Sequence, residues 1–187
     1  MIGTGTLLYL VKHSRPDIAN PVRELSKVMD GASVGQLKEM KRIVKYVLDT
    51  KNYGLKFEPD LQKAWGLKAF CDSDFATDKE KRVSVTGYVV YFLGVPIAWK
   101  SRGQKSVVLS STEAEYVALS EVTKEIKFVL QILSSMMIKV KFPIHVRVDN
   151  VGAIFLANNK MTGDRTKHID MRYHFVREFI EDGVVKI

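Results

Sequence analysis

Three acidic residues stand where they could share an ion. Asp72 closes the run GLKAFCDS, Glu115 lies early in STEAEYVALSEV, and Asp149 closes PIHVRVD. They are far apart in the chain, so only folding can bring them together. Ligand sites in an open sheet lie beyond the carboxyl ends of its strands. Adjacent parallel strands would hold Asp72 and Asp149 about 5 Å apart, and a helix packed on that face would lower Glu115 between them. Two carboxylates ~4 Å apart repel by about 4 kcal/mol at an effective dielectric near ~20. Such a cluster therefore takes up protons or cations. An all-oxygen ligand set favours Mg²⁺ or Mn²⁺ over zinc. Two such ions ~4 Å apart activate a water and steady the leaving oxygen of a phosphodiester.

Each residue also has a simpler reading. Asp72-Ser73-Asp74 can form a turn, and Asp149 can cap the helix that follows it. Glu115 can close a capping box with Thr112. A second box, Ser110 with Glu113, competes with that one. If Ser110 is the cap, Glu115 falls two positions further on and is free for other work. That register is the expectation.

The elements that must position these residues can be read from apolar periodicity. VSVTGYVVYF is a β-branched and aromatic strand, LGVP a tight turn and IAWKS a third strand, with QKSVVLS continuing in extended form. A long helix follows, with Ala114, Ala118, Val122, Ile126, Val129 and Leu133 on one face. PIHVRVD is a buried strand and NVGAIFLANN a short helix. KMTGDRT is a polar loop. KHIDMRYHFVREFIEDG is a helix with Ile169, Tyr173, Val176 and Ile180 inward and Gly183 as its stop, and VVKI begins a last strand. From Gly66 the order is β-β-β-α-β-α-α-β. The expected fold class is therefore α/β, a mixed sheet of a three-strand antiparallel meander plus parallel strands, flanked by helices.

Residues 1–58 read differently. Pro16 can open a helix, with Ile18, Val22, Leu25 and Met29 at helical spacing, and DGAS is a turn. Leu37, Met40, Ile43, Val44, Val47 and Leu48 form a second stripe, with Lys38, Lys41, Arg42 and Lys45 outside it. So little helix buries little core alone, and this is expected to be a helical appendage to a domain spanning 66–187.

The chain of 187 residues has 46% apolar residues, which excludes wholesale disorder. Its longest apolar stretch is broken by Gly94 and Pro96, so no membrane span is expected. The N-terminus lacks the pattern of a secretory signal. A single cysteine, Cys71, excludes an internal disulfide framework and fits a reducing, intracellular compartment. The net charge of +8 points to a polyanionic partner. His13, His145 and His174 show no metal-ligand spacing with one another.

The strings CDSDFATDKEKRVSVTGYVVYFLGVPIAWKSRGQKSVVLSSTEAEYVALSE, VRVDNVGAIFLANN and RTKHIDMRYHFVRE closely resemble the ribonuclease H domain of copia-type retrotransposon Pol polyproteins. Upstream, LLYLVKHSRPDIANPVRELSKVM and KRIVKYVLDTKNYGLKF resemble the end of the reverse transcriptase and its link to that domain. The resemblance implies a five-stranded ribonuclease H-like fold that cleaves the RNA of an RNA–DNA hybrid using Mg²⁺, with Mn²⁺ as an alternative. It assigns Asp72, Glu115 and Asp149 as catalytic and metal-binding. It also implies a cytoplasmic or nuclear location and the upstream reverse transcriptase as a further partner. The family's last carboxylate follows the fifth strand and has no match before Ile187, so a C-terminally truncated domain is expected.

A hybrid's phosphates require cations. Lys100, Arg102 and Lys105 in WKSRGQKS are expected as nucleic-acid contacts in a connection before the helix of Glu115. Arg165, Lys167 and His168 in RTKHID form a second such group. Two other functions compete: a noncatalytic nucleic-acid-binding relic, and an integrase-like or transposase-like enzyme on the same fold. The motif strings favour ribonuclease H over the latter.

Overall fold

The computed structural model describes residues 2–28, 31, 33–62, 65–76, 83–106, 108–159 and 170–187. The chain forms two compact units, Met1–Phe57 and Glu58–Ile187.

The first unit is helical. Helix α1 spans Ile2–His13, a 3₁₀ turn spans Pro16–Ile18, α2 spans Ala19–Ser26 and α3 spans Val34–Asp49. The sequence reading did not identify α1, whose Gly3 and Gly5 weaken any helix signal. Leu7, Ile18, Val22 and Ile43 make a small core. Ser33 caps α3 reciprocally with Gln36. Buried Arg15 ties Asp17 to the Thr50 hydroxyl and carbonyl. The expected six-residue stripe of α3 is only half used. Ile43 is buried with Met40 and Val47 packed near it, while Leu37, Val44 and Leu48 stay exposed. Six such positions cover a wider arc than one small helical partner can bury. Met29 and most of the DGAS turn lie outside the described residues.

The second unit is built on one sheet. Strand β1 is Leu67–Asp74, β2 Val85–Phe92 and β3 Val95–Gly103. Helix α4, Ser111–Ser135, leads to β4, Ile144–Arg147. Helices α5, Val151–Asn158, and α6, Asp170–Glu181, precede β5, Val185–Lys186. The strand order is β3-β2-β1-β4-β5, antiparallel on the meander side and parallel from β1 to β4 and β4 to β5. This mixed five-stranded sheet flanked by helices is the α/β, ribonuclease H-like architecture expected above.

The β2–β3 turn places Leu93 and Gly94 at positive φ, which matches the strand twist in a two-residue hairpin. Leu93 is buried there, and that apolar contact offsets the cost of its left-handed backbone. All six residues expected on the inner face of α4 are buried. Five of them, Ala118 through Leu133, share one core with Leu67, Ala69, Cys71, Tyr88 and Val90 of the sheet and Tyr173 and Val176 of α6, while Ala114 clusters with Val108 and Val117. Ile169 lies outside the described residues.

Two local expectations need correction. Strand β3 runs on through Gly103, so Arg102 is a strand residue rather than part of a connection, while Lys100 lies in the third strand as IAWKS implies. Residues 105 and 106 bend instead of continuing in extended form. The cause is Gln104, whose buried amide donates to Thr86 Oγ1 at 3.0 Å and to the Ala114 carbonyl at 2.9 Å, turning the chain onto α4. No helix among the described residues is long and apolar enough to cross a membrane.

Candidate metal centre

The parallel register of β1 and β4 aligns two carboxylates. Phe70 pairs with Arg147, and Asp72 and Asp149 each lie two positions further along. They therefore stand level at the carboxyl end of neighbouring strands. Glu115 descends onto that end from the first turns of α4. One carboxylate oxygen from each of Asp72, Glu115 and Asp149 lies within 4.8 Å of the other two.

Local hydrogen bonds settle the simpler readings of these residues. Ser110 is the N-cap of α4, its hydroxyl accepting the Glu113 N–H at 3.1 Å. Glu113 in turn accepts the Leu109 N–H at 2.7 Å, one residue earlier than a standard box requires. Glu115 is thereby left out of the cap. Asn150 caps α5 through the Ala153 N–H at 2.9 Å, which relieves Asp149 of that role. Asp72-Ser73-Asp74 is no turn but the end of β1, paired with Val85, Thr86 and Gly87. Because the cap sets where α4 begins, Ser110→Ala is expected to lower stability by about 0.5–2 kcal/mol in denaturant titrations.

Glu115 is buried, whereas Asp72 and Asp149 are exposed. Its Oε1 accepts from the Ser73 N–H at 3.0 Å and from the Ser73 hydroxyl at 2.9 Å. Its Oε2 is buried with no hydrogen-bond partner. The sequence reading missed Ser73. Strand alternation was the available signal, since it puts Ser73 on the same face as Cys71, toward α4. Burial raises the Glu115 pKa; the Ser73 bonds oppose this, and the charges of Asp72 and Asp149 reinforce it. Burial, helped by the same three carboxylates, also pushes up the Cys71 thiol, which stays protonated in the core.

The orphaned Oε2 beside two exposed carboxylates fits a hard divalent cation. An unpaired buried oxygen is costly, and a cation held by the three carboxylates would neutralise their charge. A pH dependence follows. A carboxyl with a higher pKa folded than unfolded binds more protons in the native state. Its contribution to stability therefore falls as pH rises from the ordinary glutamate pKa through the raised folded value. Metal-free protein is expected to lose melting temperature across that window, and Glu115→Gln to remove this part of the slope. An identical slope in both proteins would contradict the assignment.

The basic residues divide. Lys100 and Arg102 lie on β3 and Lys105 just beyond it. Lys100 Nζ is 3.8 Å from Glu121 and 5.8 Å from the centre of the Tyr88 ring. Arg165, Lys167 and His168 lie outside the described residues. Arg172 of α6, which donates to Ser106 Oγ at 3.1 Å, joins the first group. Nothing in the local sequence pattern marked it.

No protein-family model matches the chain. It is 37% identical over 183 residues to the retrovirus-related Pol polyprotein from transposon RE1 of Arabidopsis thaliana, covering 98% of this chain and 12% of that one. It is 37% identical over 186 residues to the corresponding polyprotein from transposon TNT 1-94 of Nicotiana tabacum, covering 98% and 14%. The secreted RxLR effector protein 161 of Plasmopara viticola is 38% identical over 121 residues, 65% of this chain and 84% of the effector. The chain thus spans about an eighth of the length of the transposon polyproteins it matches.

Proposed function

Given that the chain belongs to the retrovirus-related Pol polyproteins of copia-type retrotransposons, we propose that its Glu58–Ile187 unit is a ribonuclease H that cuts the RNA strand of RNA–DNA hybrids. The observation that carries this reading is the convergence of Asp72, Glu115 and Asp149 at one end of a ribonuclease H-like sheet. The Met1–Phe57 unit is read as the helical end of the reverse-transcriptase segment, and the reverse transcriptase as a partner of the nuclease.

The chain's own residues divide the work. Asp72 and Asp149, exposed at the strand ends, offer oxygens to an incoming ion and to the substrate side. Glu115 is held by Ser73 through one oxygen, which leaves the other free as a fixed ligand. These three residues would hold Mg²⁺ or Mn²⁺. When bound, such an ion supplies water activation and neutralises charge developing on a phosphodiester. The three carboxylates alone would repel a phosphate, so their negative charge suits phosphodiester chemistry only in partnership with cations.

The test is a labelled hybrid incubated with the chain and Mg²⁺ or Mn²⁺. Cleavage that leaves 3′-hydroxyl ends and spares single-stranded RNA and DNA duplex is expected. Binding without cutting would favour the noncatalytic relic. Metal uptake is checked separately. At ten times its dissociation constant, the ion is expected to stabilise the fold by about 1.4 kcal/mol, visible as a rise in melting temperature that a chelator reverses. No calorimetric uptake of Mg²⁺ or Mn²⁺ would overturn the metal assignment.

A further inference from the structure

Gln104 does more than turn the chain. It stands just past β3 and is 8% exposed. Its backbone N–H donates to the Ser84 carbonyl at 2.8 Å, which fixes its main chain to the residue preceding β2. Its amide nitrogen carries two N–H donors and uses both. Thr86 Oγ1 lies at 3.0 Å and the Ala114 carbonyl at 2.9 Å. The orientation of the amide is forced, because the Ala114 carbonyl can only accept and so must face the nitrogen. One side chain therefore joins β2 to α4.

Both ends of that link lead to Glu115. Ala114 is its neighbour in the chain. Thr86 pairs across the sheet with Ser73, and Ser73 donates its N–H and its hydroxyl to Glu115 Oε1 at 3.0 and 2.9 Å. The contacts close into a ring that runs from Glu115 through Ser73, Thr86, Gln104 and Ala114 back to Glu115. Gln104 holds the main chain just before the carboxylate, and Ser73 holds one of its oxygens. A side chain held at its root and at one oxygen presents the other, Oε2, in a single direction.

Stability alone does not explain this amide. Its Oε1 is buried with no partner, and an unmet buried acceptor is costly. An apolar side chain of the same length would fill the space without that cost. The Ala114 carbonyl would keep the bond that the helical ladder gives it. Departures from what local stability favours concentrate at functional sites.

We infer that Gln104 is a positioning residue for the carboxylate cluster: by tying Thr86 to Ala114, it fixes the place from which Glu115 presents Oε2 to a divalent cation. The cation rests on the function proposed above; the fixing of Glu115 does not. Residues that orient a metal ligand without touching the metal are worth about 10–100-fold in affinity.

The test uses the full chain carrying Gln104→Met, which keeps the length of the side chain and removes both donors. Mn²⁺ binding is measured by calorimetry, and exchange of the Ser73 amide hydrogen is followed in metal-free protein. Mn²⁺ affinity is expected to fall about tenfold, and Ser73 exchange to quicken about tenfold as its bond to Glu115 loosens. A merely structural role would lower the urea midpoint and leave the Mn²⁺ affinity of the folded protein unchanged. Adding Gln104→Met to Glu115→Gln is expected to weaken the remaining Mn²⁺ binding no further, since Gln104 acts through Glu115. A further loss there would overturn that route. Thr86→Val deletes only the sheet-side acceptor, at a strand position that suits a β-branched residue, and carries the test if Gln104→Met does not fold. Its expected loss of Mn²⁺ affinity is about threefold. Unchanged affinity together with unchanged Ser73 exchange would overturn the inference, while Mn²⁺ uptake by the unmodified chain would still support the metal centre. Faster Ser73 exchange in a chain that takes up no Mn²⁺ would keep Gln104 as the support of Glu115 and remove the cation.

Discussion

Asp149→Asn is expected to abolish Mg²⁺-dependent cutting of an RNA–DNA hybrid while leaving the metal-free protein at least as stable as before. Asparagine keeps the shape of the side chain and removes its charge. The cluster then has one fewer anionic oxygen for an ion, and a loss of about 10²–10³-fold is the scale expected when one preorganised electrostatic group is removed. Stability moves the other way because the folded protein confines three carboxylates within 4.8 Å of one another. Their pairwise repulsion lies between about 1 kcal/mol in water and about 4 kcal/mol at intermediate screening. Asp149 is exposed, so the relief belongs near the lower figure. Two measurements on one preparation decide it: a cleavage assay and thermal unfolding with and without Mg²⁺. The variant should lose both the activity and the metal-induced rise in melting temperature. Undiminished cutting would mean that Asp149 does not serve the metal.

The second large effect concerns the platform beneath the site. Leu119 has no exposed surface and sits in the main core between α4 and the sheet. It lies one helical turn beyond Glu115. Leu119→Ala removes buried methyl groups and leaves a cavity that the sheet can close only in part, a change that costs about 2–5 kcal/mol. For a domain whose total stability is of order 5–15 kcal/mol, that is a large share. The expected signature in urea is a lower midpoint with an unchanged slope, which marks lost stability rather than a changed denatured state. A midpoint within error of the unmodified protein would show that α4 is not held to the sheet by this contact.

Much of this architecture was legible in the residues because it depends on short-range pattern. The inner face of α4 follows from helical spacing, and every residue assigned to it is buried. The choice of Ser110 over Thr112 as cap was also available locally. Asp72 and Asp149 could be placed at strand ends because their strands end in polar residues after apolar runs. What stayed hidden depends on contacts distant in sequence. That Ser73 reaches Glu115, 42 positions away, follows from how α4 lies on β1. Arg172 joins Lys100 and Arg102 only because α6 returns to the sheet edge. The wide apolar arc of α3 misled for a related reason: periodicity shows which positions can be buried, but not how much partner surface there is to bury them.

The parallel pairing of β1 with β4 has a consequence for when the chemistry becomes possible. The antiparallel meander holds only one of the three acidic residues, and a hairpin can close early. The third arrives with a strand that must cross from the far side of a 25-residue helix before it can dock. As the polypeptide leaves the ribosome, the meander can close while the ion pocket is still missing a wall. Completion of the carboxylate cluster is thus a late event of synthesis, and on the function proposed above a half-made chain is disarmed by its own topology.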